Sequence, residues 1–103
     1  MFYFLATFCL SLIPVPKRTT GIKFGPSSAQ ISFEVFTDIT CPDCAADYNN
    51  IQLLMAEYPT QINFIFHFFE IPAHTWSFLL TRSIYACYKE SENNAKKILD
   101  RLF

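Results

Sequence analysis

The spacing of apolar residues between positions 31 and 59 predicts a strand followed by a helix. The segment ISFEVF, residues 31–36, combines β-branched and aromatic residues in partial alternation, which is typical of a strand. Pro42 suits the first turn of the helix, where its missing N–H is not needed, and Pro59 ends the helix. Apolar residues recur between them at steps of three and four, which predicts one apolar face formed by Ala45, Tyr48, Ile51, Leu54, Met55 and Tyr58.

Further along the chain, the pattern predicts a second strand and two more helices. INFIFHFF, residues 62–69, is almost continuously apolar, as expected of a strand that is covered on both faces. Residues 75–88 have a helical pattern, and Ser91 can cap a last helix that runs through Leu102. The order strand, helix, strand, helix, helix indicates an α/β fold with parallel strands and a right-handed crossover. The helix over residues 75–88 is predicted to have an inner face formed by Trp76, Leu79, Leu80, Ile84 and Cys87.

The N-terminal third has a different composition. MFYFLATFCLSLIPVP, residues 1–16, is an apolar run close in length to the core of a signal peptide and shorter than the ~20 residues that span a bilayer. It lacks a preceding basic residue and a small-residue cleavage site, so a signal peptide and a buried apolar arm both remain open. A signal peptide would send the protein to the secretory pathway or outside the cell, where disulfides persist; an apolar arm would leave it in the cytoplasm. Residues 17–30, rich in Gly, Pro, Ser and Thr, predict an extended linker before a domain over residues 31–103.

Length and charge limit the function classes. The chain has 103 residues, enough for one domain and too few for two. Eight Lys and Arg face nine Asp and Glu, so no basic surface is expected to attract nucleic acid. The four cysteines are too few and too irregularly spaced for a disulfide scaffold. Any catalytic or binding chemistry must therefore come from a few residues in one part of the chain.

Cys41 and Cys44 are the candidate site. They fall on the first turn of the predicted helix, where residues three apart share a face and the sulfurs can approach each other. The unpaired N–H groups and the helix dipole favour a thiolate there, which is the attacking species in disulfide exchange. Cys41, nearer the end, is predicted as the nucleophile and Cys44 as the resolving thiol. Pro42 and Asp43 would tune the pair, because the Asp43 carboxylate disfavours a second negative charge beside it.

Two segments of the chain resemble the thioredoxin superfamily, and its DsbA-like branch in particular. FEVFTDITCPDCAADY resembles the active-site strand and helix, and FIFHFFEIPAHTWSFLLTRSIYAC resembles the second strand, its Pro-X-His turn and the start of the helical insertion. The resemblance implies an incomplete thioredoxin-like fold, β-α-β followed by helices of the DsbA-type insertion. It also implies thiol–disulfide exchange by Cys41 and Cys44 without a cofactor or a metal, on protein or small thiol and disulfide substrates. The resemblance also places His74, in the Pro-X-His turn, near the redox face. The sequence itself identifies no partner for His74 and so favours a residue at a helix N-terminus without a chemical role.

The family places a cis-proline loop after its helical insertion, and no proline of this chain matches it. The sequence is therefore expected to be the N-terminal part of such a domain, with exchange that is weak or absent. An unpaired edge is expected on the first or the second predicted strand, and it is expected to promote self-association, above all if it falls on the apolar residues 62–69. The prolines in question are Pro14, Pro16, Pro26, Pro42, Pro59 and Pro72.

Other interpretations of the same residues remain. A thioredoxin-like module that binds without catalysing is the main alternative. A zinc site would use both cysteines with His67 and His74, but their spacing lies outside that of zinc fingers. Thr40 and Asp43 fit a capping pattern, a hydroxyl residue followed three positions later by an acid. Cys87 has the pattern of an inert buried thiol.

Overall fold

The structure is a computed structural model, and it describes residues 20–103. The predicted signal peptide or apolar arm and Cys9 lie outside the described residues. The elements in chain order are β1 (Ile22–Phe24), β2 (Ile31–Thr37), α1 (Pro42–Glu57), β3 (Ile62–Phe68), α2 (Ser77–Glu90) and α3 (Glu92–Leu102). Within residues 20–103, no helix combines the length and the apolar character needed to cross a membrane.

The three strands form one mixed sheet in the order β1-β3-β2. β2 and β3 are parallel, with Ile31 opposite Ile62 and Thr37 opposite Phe68. This confirms the predicted α/β fold and the parallel pair joined by a helix. Of the two strands predicted to carry an unpaired edge, β3 lies in the centre and bonds to a strand on each side. Within the described residues the edge is therefore carried by the first of them, β2.

β1 was not predicted and lies within residues 17–30, which the sequence indicated as a linker. It pairs antiparallel with β3, and Ile22 and Phe24 are buried in the core. A segment of three residues is too short to show the alternation typical of a strand, and the glycines on either side of it are typical of a loop. Gly25 has a φ of 106°, a conformation that glycine adopts without the strain of a side chain.

The core lies on the face of the sheet that carries Phe64 and Phe66, both 1% exposed. Ile84 of α2 and Leu99 of α3 are fully buried in the same cluster. Ile65, whose side chain points to the other face, is also buried, so the middle of β3 is covered on both faces as predicted.

α2 begins at Ser77, and its inner face agrees with the predicted one in part, because Ile84 is fully buried and Leu80 packs against the core. Trp76 and Leu79 are 66% and 57% exposed, whereas the buried side of the helix is made by Ser77, Thr81 and Ile84. Cys87, predicted as buried, is only half-buried. The pattern failed at Trp76 and Leu79 because two small hydroxyl residues, Ser77 and Thr81, are part of the buried face, and a hydropathy pattern assigns such residues to the surface.

The ends of α1 and α3 follow their local chemistry. Pro42 is the first residue of α1, as predicted, and the helix ends at Glu57 before Pro59. Ser91 caps α3, its hydroxyl accepting a hydrogen bond from the Asn94 N–H at 3.0 Å, which confirms that prediction.

Candidate functional site

The junction between β2 and α1 places Cys41 at the beginning of the helix. Cys41 is the N-cap residue with an extended backbone, and no side chain caps the helix. The predicted capping pair is therefore wrong: the Thr40 hydroxyl bonds to Asp38 at 2.9 Å, and Asp43 is exposed in the first turn. The free N–H groups of the first turn remain at the end of the helix where Cys41 lies.

Both cysteines of the pair are free and half-buried. The Cys44 sulfur accepts a hydrogen bond from the backbone N–H of Asp38, with an N···S distance of 3.5 Å. The backbone N–H of Cys41 in turn donates to the Asp38 carbonyl oxygen at 3.2 Å. Asp38 thus contacts both members of the pair through its main chain.

The Asp38 side chain lies at the centre of the junction. The residue is 2% exposed, and its carboxylate accepts five hydrogen bonds from three parts of the chain. Oδ1 accepts from the Thr40 N–H, the Thr40 hydroxyl and the Ser77 hydroxyl at 2.8–2.9 Å. Oδ2 accepts from the Ile71 N–H at 2.7 Å and faces Nδ1 of His74 at 3.0 Å.

These hydrogen bonds decide the charge of Asp38. Burial alone would raise the pKa of this carboxyl, but the donors from Ile71, Thr40 and Ser77 outweigh burial and hold the pKa well below its ordinary value. Asp38 is therefore a buried anion at neutral pH. An ionised carboxylate can only accept hydrogen bonds, so Nδ1 of His74 carries the proton between them.

The two histidines occupy different places. His74 lies in the turn before α2 and contacts the Asp38 side chain. The main chain of Asp38 in turn contacts Cys44, so His74 is linked to the cysteine pair by one residue. His67 bonds to Glu34 at 3.0 Å on the opposite face of the sheet and stacks on the Phe36 ring. The four residues of the zinc alternative are thus not gathered in one place, and no group of three or more potential ligands occurs within residues 20–103.

A shallow groove of about 140 Å³ runs beside Cys44. Three exposed apolar side chains line it, Phe36 at 70%, Phe69 at 68% and Ile71 at 38% exposure, together with Thr37 and Asp38. A larger apolar cavity of about 390 Å³ lies at the other end of the sheet, near Phe24 and Met55, and neither cysteine lines it. The groove is therefore the surface that a molecule at Cys44 would touch.

Sequence reasoning missed Asp38, Ser77 and the hydroxyl of Thr40. Asp38 stands directly after a strand and three residues before Cys41. An acidic residue in such a position is typical of an exposed loop and does not by itself indicate a function. The sequence carries no signal that Asp38 is buried, because the burial of its neighbours Thr37 and Ile39 is known only from the structure.

Comparisons with known proteins bear on the family and the fold of the chain. A family model described as Thioredoxin matches residues 17–103. No match is found among curated proteins. Among solved structures, the chain is similar to the thiol–disulfide exchange protein alpha-DsbA2 from Wolbachia pipientis, with a TM-score of 0.71 and 22% identity.

The match covers 81% of this chain and 43% of the other, so the chain spans less than half the length of alpha-DsbA2. The family model spans most of the chain, and the fold agrees with it. The predicted family and fold class are confirmed. The chain belongs to the thioredoxin superfamily, with part of a DsbA-like fold.

Proposed function

We propose that this protein carries out thiol–disulfide exchange through Cys41 and Cys44. The observation that carries the proposal is the position of the pair: Cys41 is the N-cap of α1, and Cys44 lies one turn further with its sulfur against a backbone N–H. A helix N-terminus favours the thiolate, which is the species that attacks a disulfide. Both thiols are partly accessible, as exchange requires.

The reaction proceeds in two displacements. The Cys41 thiolate attacks one sulfur of a substrate disulfide, forming a mixed disulfide and releasing the other substrate sulfur, which takes a proton from water. Cys44 then loses its proton to water and attacks the Cys41 sulfur, which releases the second substrate thiol. The substrate gains two electrons and two protons, and the cysteine pair loses them; the reverse direction oxidises a dithiol substrate.

Pro42 and Asp43 tune the pair in this proposal. Asp43 is exposed in the first turn of α1, next to Cys41. Its negative charge opposes a thiolate there and so makes the protein a weaker oxidant. Asp43→His should raise the reduction potential, and an unchanged potential would mean that the helix terminus alone sets it.

The substrate class we propose is an extended polypeptide that carries a cysteine. The groove beside Cys44 presents Phe36, Phe69 and Ile71 to solvent, and such a surface suits apolar side chains of an unfolded segment. The same surface would serve a module that binds polypeptides without catalysis, which is the second candidate. An oxidising compartment, the secretory pathway or the cell exterior, would suit the exchange.

The redox state of each cysteine tests the proposal. The chain is equilibrated with glutathione buffers, alkylated and analysed by mass spectrometry. We expect a reversible 41–44 disulfide that forms in parallel with insulin reduction. Cys41→Ser should abolish both, and Cys44→Ser should accumulate a mixed disulfide on Cys41.

Cys87→Ser is the matched control, because Cys87 is also free and half-buried but lies in α2. This variant should behave as the wild type does. A 41–44 pair that cycles without any exchange with protein substrates would favour the binding module. Disulfides that form with Cys87 instead would contradict the proposal.

A further inference from the structure

We propose that the exchange site selects cationic substrates, namely polypeptide segments in which the reacting cysteine lies between apolar residues with lysine or arginine close by. The inference rests on the proposed function and deepens it by adding a charge to the substrate class. It assigns the selection to the acidic residues around the groove beside Cys44, above all Asp43 and Glu70.

The charged residues of the chain are divided unevenly between two regions. Residues 24–81 contain six of the nine acidic residues and no Lys or Arg. This region includes β2, α1 and β3, and therefore both cysteines and the groove. Within residues 20–103, the basic residues are one in β1 and five in α2 and α3: Lys23, Arg82, Lys89, Lys96, Lys97 and Arg101. Lys17 and Arg18 lie outside the described residues. The near-zero net charge of the chain thus combines an acidic exchange region with basic helices.

Several of the acidic residues lie in or beside the groove. Asp38 lines it as a buried anion, and the half-buried Glu70 stands between two other residues that line it. Asp43 directly precedes Cys44 in the first turn of α1, and Asp47 lies one turn beyond Cys44 on the same side of the helix; both are exposed. Within the described part of the chain, no Lys or Arg lines the groove. A bound substrate therefore meets negative charges that no basic residue of the groove offsets.

The apolar walls and the acidic surroundings together favour one kind of occupant. The exposed side chains of Phe36, Phe69 and Ile71 favour apolar contacts. The acids attract cations and repel anions over a distance of about 8 Å at physiological salt. A lysine or arginine beside an apolar segment suits both features, because its methylene groups cover apolar surface while its charge stays in water. An anionic thiol compound meets repulsion instead.

The expected size of the preference follows from Coulomb's law. At low salt, one carboxylate about 10 Å from a singly charged group changes the local concentration of that group by roughly 1.7-fold, upward for a cation and downward for an anion. One acid therefore contributes about threefold to the preference for a cation over an anion. Several acids around one groove should together give about tenfold or more.

The experiment compares three small disulfides that differ in charge: cystamine, a dication; bis(2-hydroxyethyl) disulfide, which is neutral; and 3,3′-dithiodipropionate, a dianion. Each takes two electrons and two protons from the reduced cysteine pair and is released as two thiols. The rate at which the 41–44 disulfide forms is measured by alkylation and mass spectrometry at about pH 8, well above the ordinary histidine pKa of about 6.5. Dividing this rate by the rate of the same disulfide with 2-mercaptoethanol corrects for the different leaving groups.

The corrected rate in about 10 mM salt should be at least about tenfold higher for cystamine than for dithiodipropionate, with the neutral disulfide between them. The ratio of the two rates should approach one in about 1 M salt, where charges are screened within about 3 Å. Disulfide-linked peptide dimers, with leucine on each side of the cysteine and either lysine or glutamate beyond, should show the same preference for the cationic form.

Neutralising variants locate the selection. Asp43→Asn and Glu70→Gln should each lower the cystamine-to-dithiodipropionate ratio by about threefold. The same Cys41 thiolate attacks both disulfides, so a change in its reactivity caused by Asp43→Asn cancels in the ratio. Glu57→Gln is the matched control, because Glu57 is an exposed acid of the same helix at its other end, about 20 Å from Asp43. This variant should change the ratio by less than about 1.5-fold.

A corrected ratio near one in the wild type, or a high ratio that persists in 1 M salt, would overturn this inference and leave the proposed exchange intact. A loss in Glu57→Gln equal to that in Asp43→Asn and Glu70→Gln would also overturn it, because the ratio would then report only the net charge. A preference confined to the small disulfides would exclude the cationic polypeptide as the substrate. If none of the three disulfides oxidises the cysteine pair, the proposed function itself is refuted.

Discussion

Two buried hydroxyl groups on one face of α2 should respond in opposite ways to their removal. Ser77 is fully buried, and its hydroxyl donates to the Asp38 carboxylate at 2.8 Å. Thr81, one turn further and 3% exposed, is buried too, but its hydroxyl has no hydrogen-bond partner among residues 20–103. We expect Ser77→Ala to destabilise the fold and Thr81→Val to stabilise it.

The magnitudes follow from the two environments. A hydrogen bond to a charged group contributes about 1.5–3 kcal/mol, so Ser77→Ala should lower the free energy of unfolding by roughly that amount. A buried hydroxyl without a partner costs about 1–3 kcal/mol in proteins, and valine replaces threonine with nearly the same shape and helix propensity. Thr81→Val should therefore raise the free energy of unfolding by about 1 kcal/mol, allowing for imperfect packing of the new methyl group.

Urea denaturation followed by circular dichroism measures both changes, with Ser83→Ala as the control. Ser83 is an exposed serine of the same helix, and its hydroxyl donates to the Leu79 carbonyl at 3.1 Å. Its removal should change the free energy of unfolding by less than about 0.5 kcal/mol. Equal signs for Ser77→Ala and Thr81→Val, or a loss at Ser77 no larger than that at Ser83, would refute the assignment of their environments.

Three further predictions concern the acid, the sheet and its edge. Asp38 has a lowered pKa, so the stabilisation that it contributes is complete above the unfolded value of about pH 4 and is lost as the pH falls. The free energy of unfolding, measured by urea denaturation, should decline by up to about 1.4 kcal/mol per pH unit there, and by less in Asp38→Asn. Gly21→Ala should cost about 2 kcal/mol in the same assay, because the new Cβ would lie 2.6 Å from the Phe66 carbonyl oxygen; a neutral result would contradict this close approach. Phe36→Lys places a charge on the edge strand β2 and should reduce self-association, measured by sedimentation, more than Leu53→Lys does at an equally exposed position on α1. Equal effects of the two substitutions would argue against self-association by pairing of β2 with a second copy of the chain.

The sequence predicted the helices and strands whose apolar residues follow a clear pattern. β2, α1 and β3 were located to within a residue or two, because the alternation, the helical stripe and the prolines at both ends of α1 agree with one another. The choice of Cys41 and Cys44 as the candidate site followed from that agreement, since a Cys-Pro-X-Cys segment at the start of a helix is where a thiolate is favoured. Ser91 was predictable for a similar reason, as a cap needs only local contacts.

The failures involve contacts that no local pattern records. β1 is stable only because it pairs with β3, from which it is separated by more than thirty residues, and its own three residues carry no period. In α2, Trp76 and Leu79 were placed inward for their hydropathy, yet Ser77 and Thr81 occupy that side. The Ser77 hydroxyl is buried where it donates to the Asp38 carboxylate, which directly follows β2 and needs hydrogen-bond donors.

The meeting of Asp38 with His74 was nevertheless implicit in the predicted topology. Two parallel strands end at the same edge of a sheet, so residues that follow β2 must lie near residues that follow β3. The register aligns Thr37 with Phe68, and the Phe69 N–H donates to the Thr37 carbonyl oxygen at 2.8 Å, which leads the chain after β3 past Asp38. What the sequence could not supply was the burial of the acid, which turns this proximity into a set of obligatory hydrogen bonds. The cysteine pair therefore contacts a buried residue that its own motif does not contain, and a search restricted to Cys-Pro-Asp-Cys would leave that residue out.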